Sequence, residues 1–246
     1  MKPIVAFGHE RPVTRVAINR DGDLIVSASK DSTLALWDVN SLECCGTMHH
    51  QGAILDVDIL YTTIISASAD FSFRMWENGK EIKQLAFEQI VRSCQYSKDG
   101  NNIIVLLEMY LKYNNELLIV DKECKKLKSV KLSSDYGKAT ISRWGPLCES
   151  ILIGFEDGTI LVLNSSDLTT KKIIKKNESA ITDIQMSLDS STFIISSKDQ
   201  TATLYDYTFT VLKVYNSDRP VNSASISSKK DHVILGGGQE AYFILM

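Results

Sequence analysis

Ser29-Lys30-Asp31, followed by Leu34-Ala35-Leu36-Trp37-Asp38, is the stretch whose recurrence decides the fold. The same frame returns as Ser68-Ala69-Asp70 with Phe73-Arg74-Met75-Trp76-Glu77, and as Phe155-Glu156-Asp157 with Ile160-Leu161-Val162-Leu163-Asn164. A further copy is Ser197-Lys198-Asp199 with Ala202-Thr203-Leu204-Tyr205-Asp206. In each, the aspartate precedes a Trp, Leu or Tyr by six positions. Asp31, Asp70, Asp157 and Asp199 are 39, 87 and 42 residues apart, and the long gap holds a degenerate copy ending at Leu117-Leu118-Ile119-Val120-Asp121. Another 40 residues lead from Asp199 to Gln239.

A period near 40 residues closed by Trp-Asp is the mark of a WD40 β-propeller, with four strands to a blade. The intervening segments agree. Val13-Thr14-Arg15-Val16-Ala17-Ile18 alternates as a half-buried strand does. Asp21-Gly22 and Asp99-Gly100 are tight-turn pairs between strands. Leu24-Ile25-Val26 and Ile64-Ile65 suit strands covered on both faces. Six copies are expected to start near Val13, Ile54, Val91, Ala139, Ile181 and Val221, the last running out at Tyr242-Phe243-Ile244-Leu245-Met246. The opening Pro3-Ile4-Val5-Ala6-Phe7-Gly8-His9 reads as a fourth strand without predecessors. Pairing it with the last copy predicts one all-β domain over residues 1–246: six four-stranded blades closed by the N-terminal strand.

Composition narrows the function. The chain has 246 residues, 44% hydrophobic and 23% charged, which excludes wholesale disorder. A formal net charge of -3 lacks the strongly basic balance of a dedicated nucleic-acid binder, so no sequence-specific nucleic-acid contact is expected. The five cysteines, Cys44, Cys45, Cys94, Cys124 and Cys148, contain no C-x-x-C pair and suggest neither a disulfide framework nor a zinc site. No apolar run reaches the ~20 residues of a membrane helix, and Met1-Lys2-Pro3-Ile4 lacks a signal-peptide core, so a cytoplasmic location is expected.

Several strings are more specific than a generic repeat. They are Met1-Lys2-Pro3-Ile4 with Gly8-His9-Glu10-Arg11, Asn19-Arg20-Asp21-Gly22-Asp23-Leu24, Trp144-Gly145-Pro146-Leu147, and Ser197-Lys198-Asp199-Gln200-Thr201-Ala202. The most telling are Arg219-Pro220-Val221-Asn222-Ser223-Ala224 and Asp231-His232-Val233-Ile234-Leu235-Gly236-Gly237-Gly238-Gln239-Glu240-Ala241. On these residues the chain resembles the subunit I family of eukaryotic translation initiation factor 3 from residue 1 to about 241. The resemblance implies a non-catalytic scaffold, not an enzyme, that docks the factor's B and G subunits and supports small-ribosomal-subunit recruitment and scanning. It also implies an alternative fold reading, because family members continue past the Gly-Gly-Gly-Gln-Glu-Ala string into a seventh blade. A WD40 adaptor of another complex is the alternative function.

Residue by residue, His9, Ser29, Asp31 and Trp37 read as a structural hydrogen-bond tetrad rather than a hydrolase triad. The second blade keeps Asp70 and Trp76, with His50 as its histidine. Gly236-Gly237-Gly238 lacks phosphate-loop spacing, so no cofactor is expected. Cys44-Cys45 with His49-His50 fits no metal spacing. Lys171-Lys172-Ile173-Ile174-Lys175-Lys176 reads as an outer strand whose lysines guard an edge, or alternatively touch ribosomal RNA phosphates. A second cluster is Lys122, Lys125, Lys126, Lys128 and Lys131. The expected partner-binding residues, in the fifth and sixth blades, are Asp206, Asp218, Arg219, Asn222 and Gln239.

Overall fold

The computed structural model describes residues 8–227, 232–237 and, for the backbone, 240–245. The predicted closing strand over Pro3–Phe7, and Gln239, lie outside the described residues. The chain divides into two compact units, Met1–Ser129 and Val130–Met246.

The first unit contains three antiparallel four-stranded meanders. Blade 1 is β1 (Val13–Ile18), β2 (Leu24–Ser29), β3 (Thr33–Asp38) and β4 (Cys44–His49). Blade 2 is β5 (Ile54–Leu60), β6 (Thr63–Ser68), β7 (Ser72–Glu77) and β8 (Lys80–Ala86). Blade 3 is β9 (Val91–Tyr96), β10 (Asn102–Leu107), β11 (Glu116–Asp121) and β12 (Lys126–Lys131), whose end crosses the unit boundary. The second unit repeats the meander as blade 4, β13 (Ala139–Trp144), β14 (Ser150–Phe155), β15 (Thr159–Asn164) and β16 (Thr170–Lys175). Blade 5 is β17 (Ile181–Met186), β18 (Thr192–Ser197), β19 (Thr201–Asp206) and β20 (Val211–Asn216). The last sheet is three-stranded among the described residues: β21 (Ser223–Ile226), β22 (His232–Gly237) and β23 (Glu240–Leu245). These are propeller-type blades, and five of their six first strands open at the residue the repeat predicts; β21 opens two residues after Val221.

The burial gradient across a blade follows the sequence. Central strands such as β10 and β14 are apolar and almost wholly buried, as the near-continuous apolar runs of such strands require. Outer strands are mostly exposed and carry the lysines and polar residues. Apolar layers join blades within each unit. Val26, Leu34 and Met48 of blade 1 meet Ile54, Val57 and Ile64 of blade 2. Ile65, Phe73 and Met75 of blade 2 meet Val91, Val105 and Val120 of blade 3. In the second unit Leu152 and Ile160 of blade 4 meet Phe193 and Tyr205 of blade 5. Leu204 and Tyr215 of blade 5 then meet Val233 and Leu235 of the last sheet.

Two local devices recur. A β-bulge follows the first residue of β1, β5, β13 and β17, where one extra residue re-aims a side chain. In blade 1 the bulge sends the Thr14 hydroxyl to the Ile54 carbonyl of blade 2 at 2.7 Å, and in blade 5 it sends Thr182 to the Val221 carbonyl at 2.6 Å. The aspartate that ends the third strand caps the next turn. Asp38 Oδ1 accepts from the Asn40 and Ser41 amides, Asp121 Oδ1 from Glu123 and Lys125, and Asp206 Oδ1 from Thr208 and Thr210. The residue after the frame aspartate has positive φ: Ser32 at 72°, Phe71 at 65°, Gln200 at 70° and Gly158 at 85°.

Candidate functional site

Blade 2 holds the fullest polar chain. Trp76 Nε1 donates to Ser66 Oγ at 2.8 Å, Ser66 Oγ lies 2.7 Å from His50 Nε2, and His50 Nδ1 lies 2.9 Å from Asp70 Oδ2. A neutral imidazole satisfies every link in one direction, with Ser66 donating to Nε2 and Nδ1–H donating to the carboxylate. The electrostatics agree. Burial is the main reason the His50 pKa lies below its ordinary value, outweighing the pull of Asp70. For Asp70, burial pushes upward, yet hydrogen bonds from Ser72, the Gln51 amide and His50 outweigh it and bring the carboxyl to about 2. Arg74 adds a 3.3 Å ion pair to Asp70 and reaches Glu81 at 3.0 Å.

Blade 1 builds the same chain, with one correction to the sequence reading. The serine is Ser27, not Ser29: Trp37 Nε1 donates to Ser27 Oγ at 2.9 Å, and Ser27 Oγ lies 2.7 Å from His9 Nε2. His9 Nδ1 is 3.2 Å from Asp31 Oδ2 and 2.8 Å from Thr33 Oγ1. Ser29 sits at the strand end, where its hydroxyl meets the carbonyls of Arg11 and Pro12. Burial raises the Asp31 pKa, but bonds from Thr33 and the Glu10 amide and the His9 charge hold it well below the carboxylate range. Gly8 lies under the indole, where a Cβ would stand 2.6 Å from the Trp37 ring.

Blade 5 keeps only half of the arrangement. Asn177 replaces the histidine and donates to Asp199 Oδ2 at 3.0 Å and Thr201 Oγ1 at 3.1 Å. Ile195 stands where blades 1 and 2 have serine, and Tyr205 replaces tryptophan. With the bridging hydroxyl gone, Asn177 Oδ1 and the Tyr205 hydroxyl are buried without a hydrogen-bond partner among the described residues. Burial, aided by the Asp199 charge, pushes the Tyr205 phenol up to about 12. Blade 4 has the apolar pair Ile153 and Leu163 at the corresponding positions.

In blades 1 and 2 the order serine, histidine, aspartate matches the connectivity of a hydrolytic triad. Ser66 is nevertheless fully buried, and its oxygen already accepts an indole N–H. No substrate carbonyl can reach it, so the chain can hold a blade together but cannot attack. A second polar set, missed in the sequence, links blades at their inner strands. Buried Asp56 accepts from Ser93 Oγ at 2.7 Å and the Cys94 amide at 3.1 Å in blade 3, and buried Asp183 accepts from Ser223 Oγ at 2.7 Å. Its signal is an aspartate at the third position of both Ile54-Leu55-Asp56 and Ile181-Thr182-Asp183.

The residues expected to bind a partner do not all converge. Asp218, Arg219 and Asn222 are exposed in the connection between β20 and β21. Asp206 lies at the opposite end of β19, which spans six residues and hence about 20 Å at ~3.3 Å per residue. Its Oδ1 is engaged by the Thr208 hydroxyl at 2.6 Å as well as by the turn amides. These hydrogen bonds lower the Asp206 pKa, Thr208 contributing most. The Cys44 and Cys45 thiols are free and exposed, while His49 ends β4 exposed and the next residue, His50, is buried.

The family model described as EIF3I matches residues 1–245. Eukaryotic translation initiation factor 3 subunit I of Neurospora crassa is 38% identical over 255 residues, covering 98% of this chain and 74% of that protein. The protein of the same name in Nematostella vectensis is 37% identical over 248 residues, covering 98% and 77%. That of Rattus norvegicus is 36% identical over 252 residues, covering 98% and 78%.

Proposed function

Because the chain belongs to the subunit I family of eukaryotic translation initiation factor 3, we propose that it is a non-catalytic scaffold subunit of that factor. It works in the cytoplasm, docks the B and G subunits, and so supports small-ribosomal-subunit recruitment and start-codon scanning. The observation that carries this reading is the match of the whole chain to the family, residues 1–245. The buried chains around Ser27 and Ser66 support it, since they spend the reactive residue types on rigidity rather than chemistry.

The contact with the B subunit is placed at the end of blade 5 that carries Asp218, Arg219 and Asn222, with Gln239 as a further contact. Asp206 joins it only where the bound segment runs the length of the blade. Asp31 and Trp37 with His9 are structural in this reading. A single six-bladed domain over residues 1–246 belongs to this reading as a proposal, and the segment Ile4–Phe7 that it would need for closure lies outside the described residues. The test is a pull-down of the full chain with the carboxy-terminal segment of the B subunit. Unmodified chain binds, and Asp218→Arg with Arg219→Glu lowers the bound fraction about tenfold, the scale of a lost charged contact. Failure of well-folded chain to bind overturns the reading, and normal binding by the double variant overturns the placement.

A further inference from the structure

The outer strand β16 meets the turn that opens β20 at Lys172 and Phe209, in an outer wall that neither the polar chains nor the proposed contact with the B subunit uses. Lys171, Lys172, Lys175 and Lys176 are all exposed. Among the described residues none of the four has a carboxylate within ion-pair distance. Three rest on aromatic rings instead: Lys171 and Lys172 lie 5.9 and 5.6 Å from the Phe209 centroid, and Lys175 lies 5.4 Å from that of Tyr136. Lys172 Nζ also reaches the Phe209 carbonyl at 3.4 Å, which ties β16 to the turn opening β20. Asp206 stands in that turn and feels the Lys172 charge from a distance, but its Oδ1 is spent on Thr208 and Thr210.

Apolar side chains stand exposed on both faces of β16. Ile173, 44% exposed, pairs with Leu161 and so points with Lys175 away from blade 5, opposite Lys172 and Ile174, while Leu212 (52%) and Val214 (38%) stand on β20 of blade 5. Strand β16 is also the last of its sheet, so among the described residues one of its backbone edges is unpaired. Lysines guard such an edge against a second lysine-rich or apolar strand. They do the opposite for a strand or helix bearing carboxylates, because each opposed pair then attracts. The exposed aliphatic side chains add burial that a phosphate backbone cannot use, and the half-buried rings of Phe209 and Tyr136 already carry the lysines.

We propose that the free edge of β16 docks an acidic segment of a neighbouring subunit, its carboxylates against Lys171, Lys172, Lys175 and Lys176 and its apolar side chains against Ile173 on one face and Leu212 and Val214 on the other. This rests on the reading that the chain works inside a multi-subunit factor. The test uses the complex purified through the full chain, treated with a zero-length carbodiimide that joins only amines and carboxylates in direct contact. Cross-linked peptides joining residues 170–176 to Asp or Glu of another subunit support the proposal. Ile173→Ser with Leu212→Ser, which leaves all charges in place, is expected to lower that cross-link about tenfold, as loss of a desolvated apolar anchor should. Lysines equally reactive to acetylation in free chain and complex overturn it. Protection that disappears on ribonuclease digestion, without carbodiimide cross-links, also overturns it and assigns the wall to RNA phosphates. A chain that purifies with no other subunit overturns the scaffold reading itself, a result distinct from both.

Discussion

Blades 2 and 5 share a backbone and differ in how they are held. In blade 2, Trp76, Ser66, His50 and Asp70 pass hydrogen bonds from the sheet centre to its rim. In blade 5 the same positions hold Tyr205, Ile195, Asn177 and Asp199, and only the outer half of the chain survives. What replaces the inner half is packing: Phe193 stacks on Tyr205 at 5.1 Å, and Phe209 meets Phe193 edge-on at 5.7 Å. The fold therefore tolerates two solutions, a directional one and a non-directional one. The directional one fails sharply when a single link is cut, because every member depends on the next.

The widest gap between the blades is expected at the bridging hydroxyl. Ser66→Ala strips partners from both Trp76 Nε1 and His50 Nε2, and should destabilise by about 2 to 6 kcal/mol, about 1 to 3 for each orphaned group. Urea unfolding with hydrogen exchange on β6 and β7 reads this, and a loss under about 0.5 kcal/mol would erase the distinction.

Acid should next separate the blades. His50 is held below its ordinary value of 6.5, so folding favours the neutral ring; the stability it contributes is complete above 6.5 and is lost as pH falls below it. Asp70 contributes stability above 3.8 that is lost as pH falls towards about 2. Blade 2 amides should thus begin to lose protection as pH falls below about 6.5 while blade 5, with Asn177, does not. His50→Asn should abolish that first step and leave the Asp70 step. Hydrogen exchange across the titration checks both.

A smaller effect of opposite sign is expected in blade 5. Tyr205→Phe removes a buried hydroxyl without a partner among the described residues, so it should be neutral or stabilising by up to about 1 kcal/mol. A clear loss by urea unfolding would mean that the hydroxyl is satisfied in solution. Smallest of all, Gln200→Gly relieves a φ of 70° and should gain at most about 0.5 kcal/mol, since glycine also loosens the unfolded chain. Gly158→Ala, by contrast, presses a Cβ onto the Asn177 carbonyl and should destabilise.

These contrasts also mark what the sequence could reveal. The blades are legible because an aspartate six positions before an aromatic or leucine recurs in one dimension, and because alternation survives even in blade 3, which lacks the Ser-x-Asp frame. The serine of the polar chain is easily misread for a geometric reason. Ser27 and Ser29 point to the same side of β2, and only the register decides which one the indole reaches. Ser27 pairs with Ala35, beside Trp37, while Ser29 pairs with Val13 at the strand end. The partner residues suffer similarly: Asp206 and Asp218 are twelve positions apart in sequence, and the β19–β20 hairpin sends them to opposite ends of the blade. The aspartates that cross between blades escape notice because a lone Asp on an alternating strand looks like any solvent-facing residue until the next blade is placed against it.

The bulge threonines carry a consequence for how such a chain can diverge. Thr14 and Thr182 hand their hydroxyls to main-chain carbonyls, those of Ile54 and Val221. A carbonyl is present whatever side chain the receiving residue bears. Each such joint therefore constrains the donor alone and leaves its recipient free to drift, so adjoining repeats can lose all likeness to one another while their spacing is inherited intact.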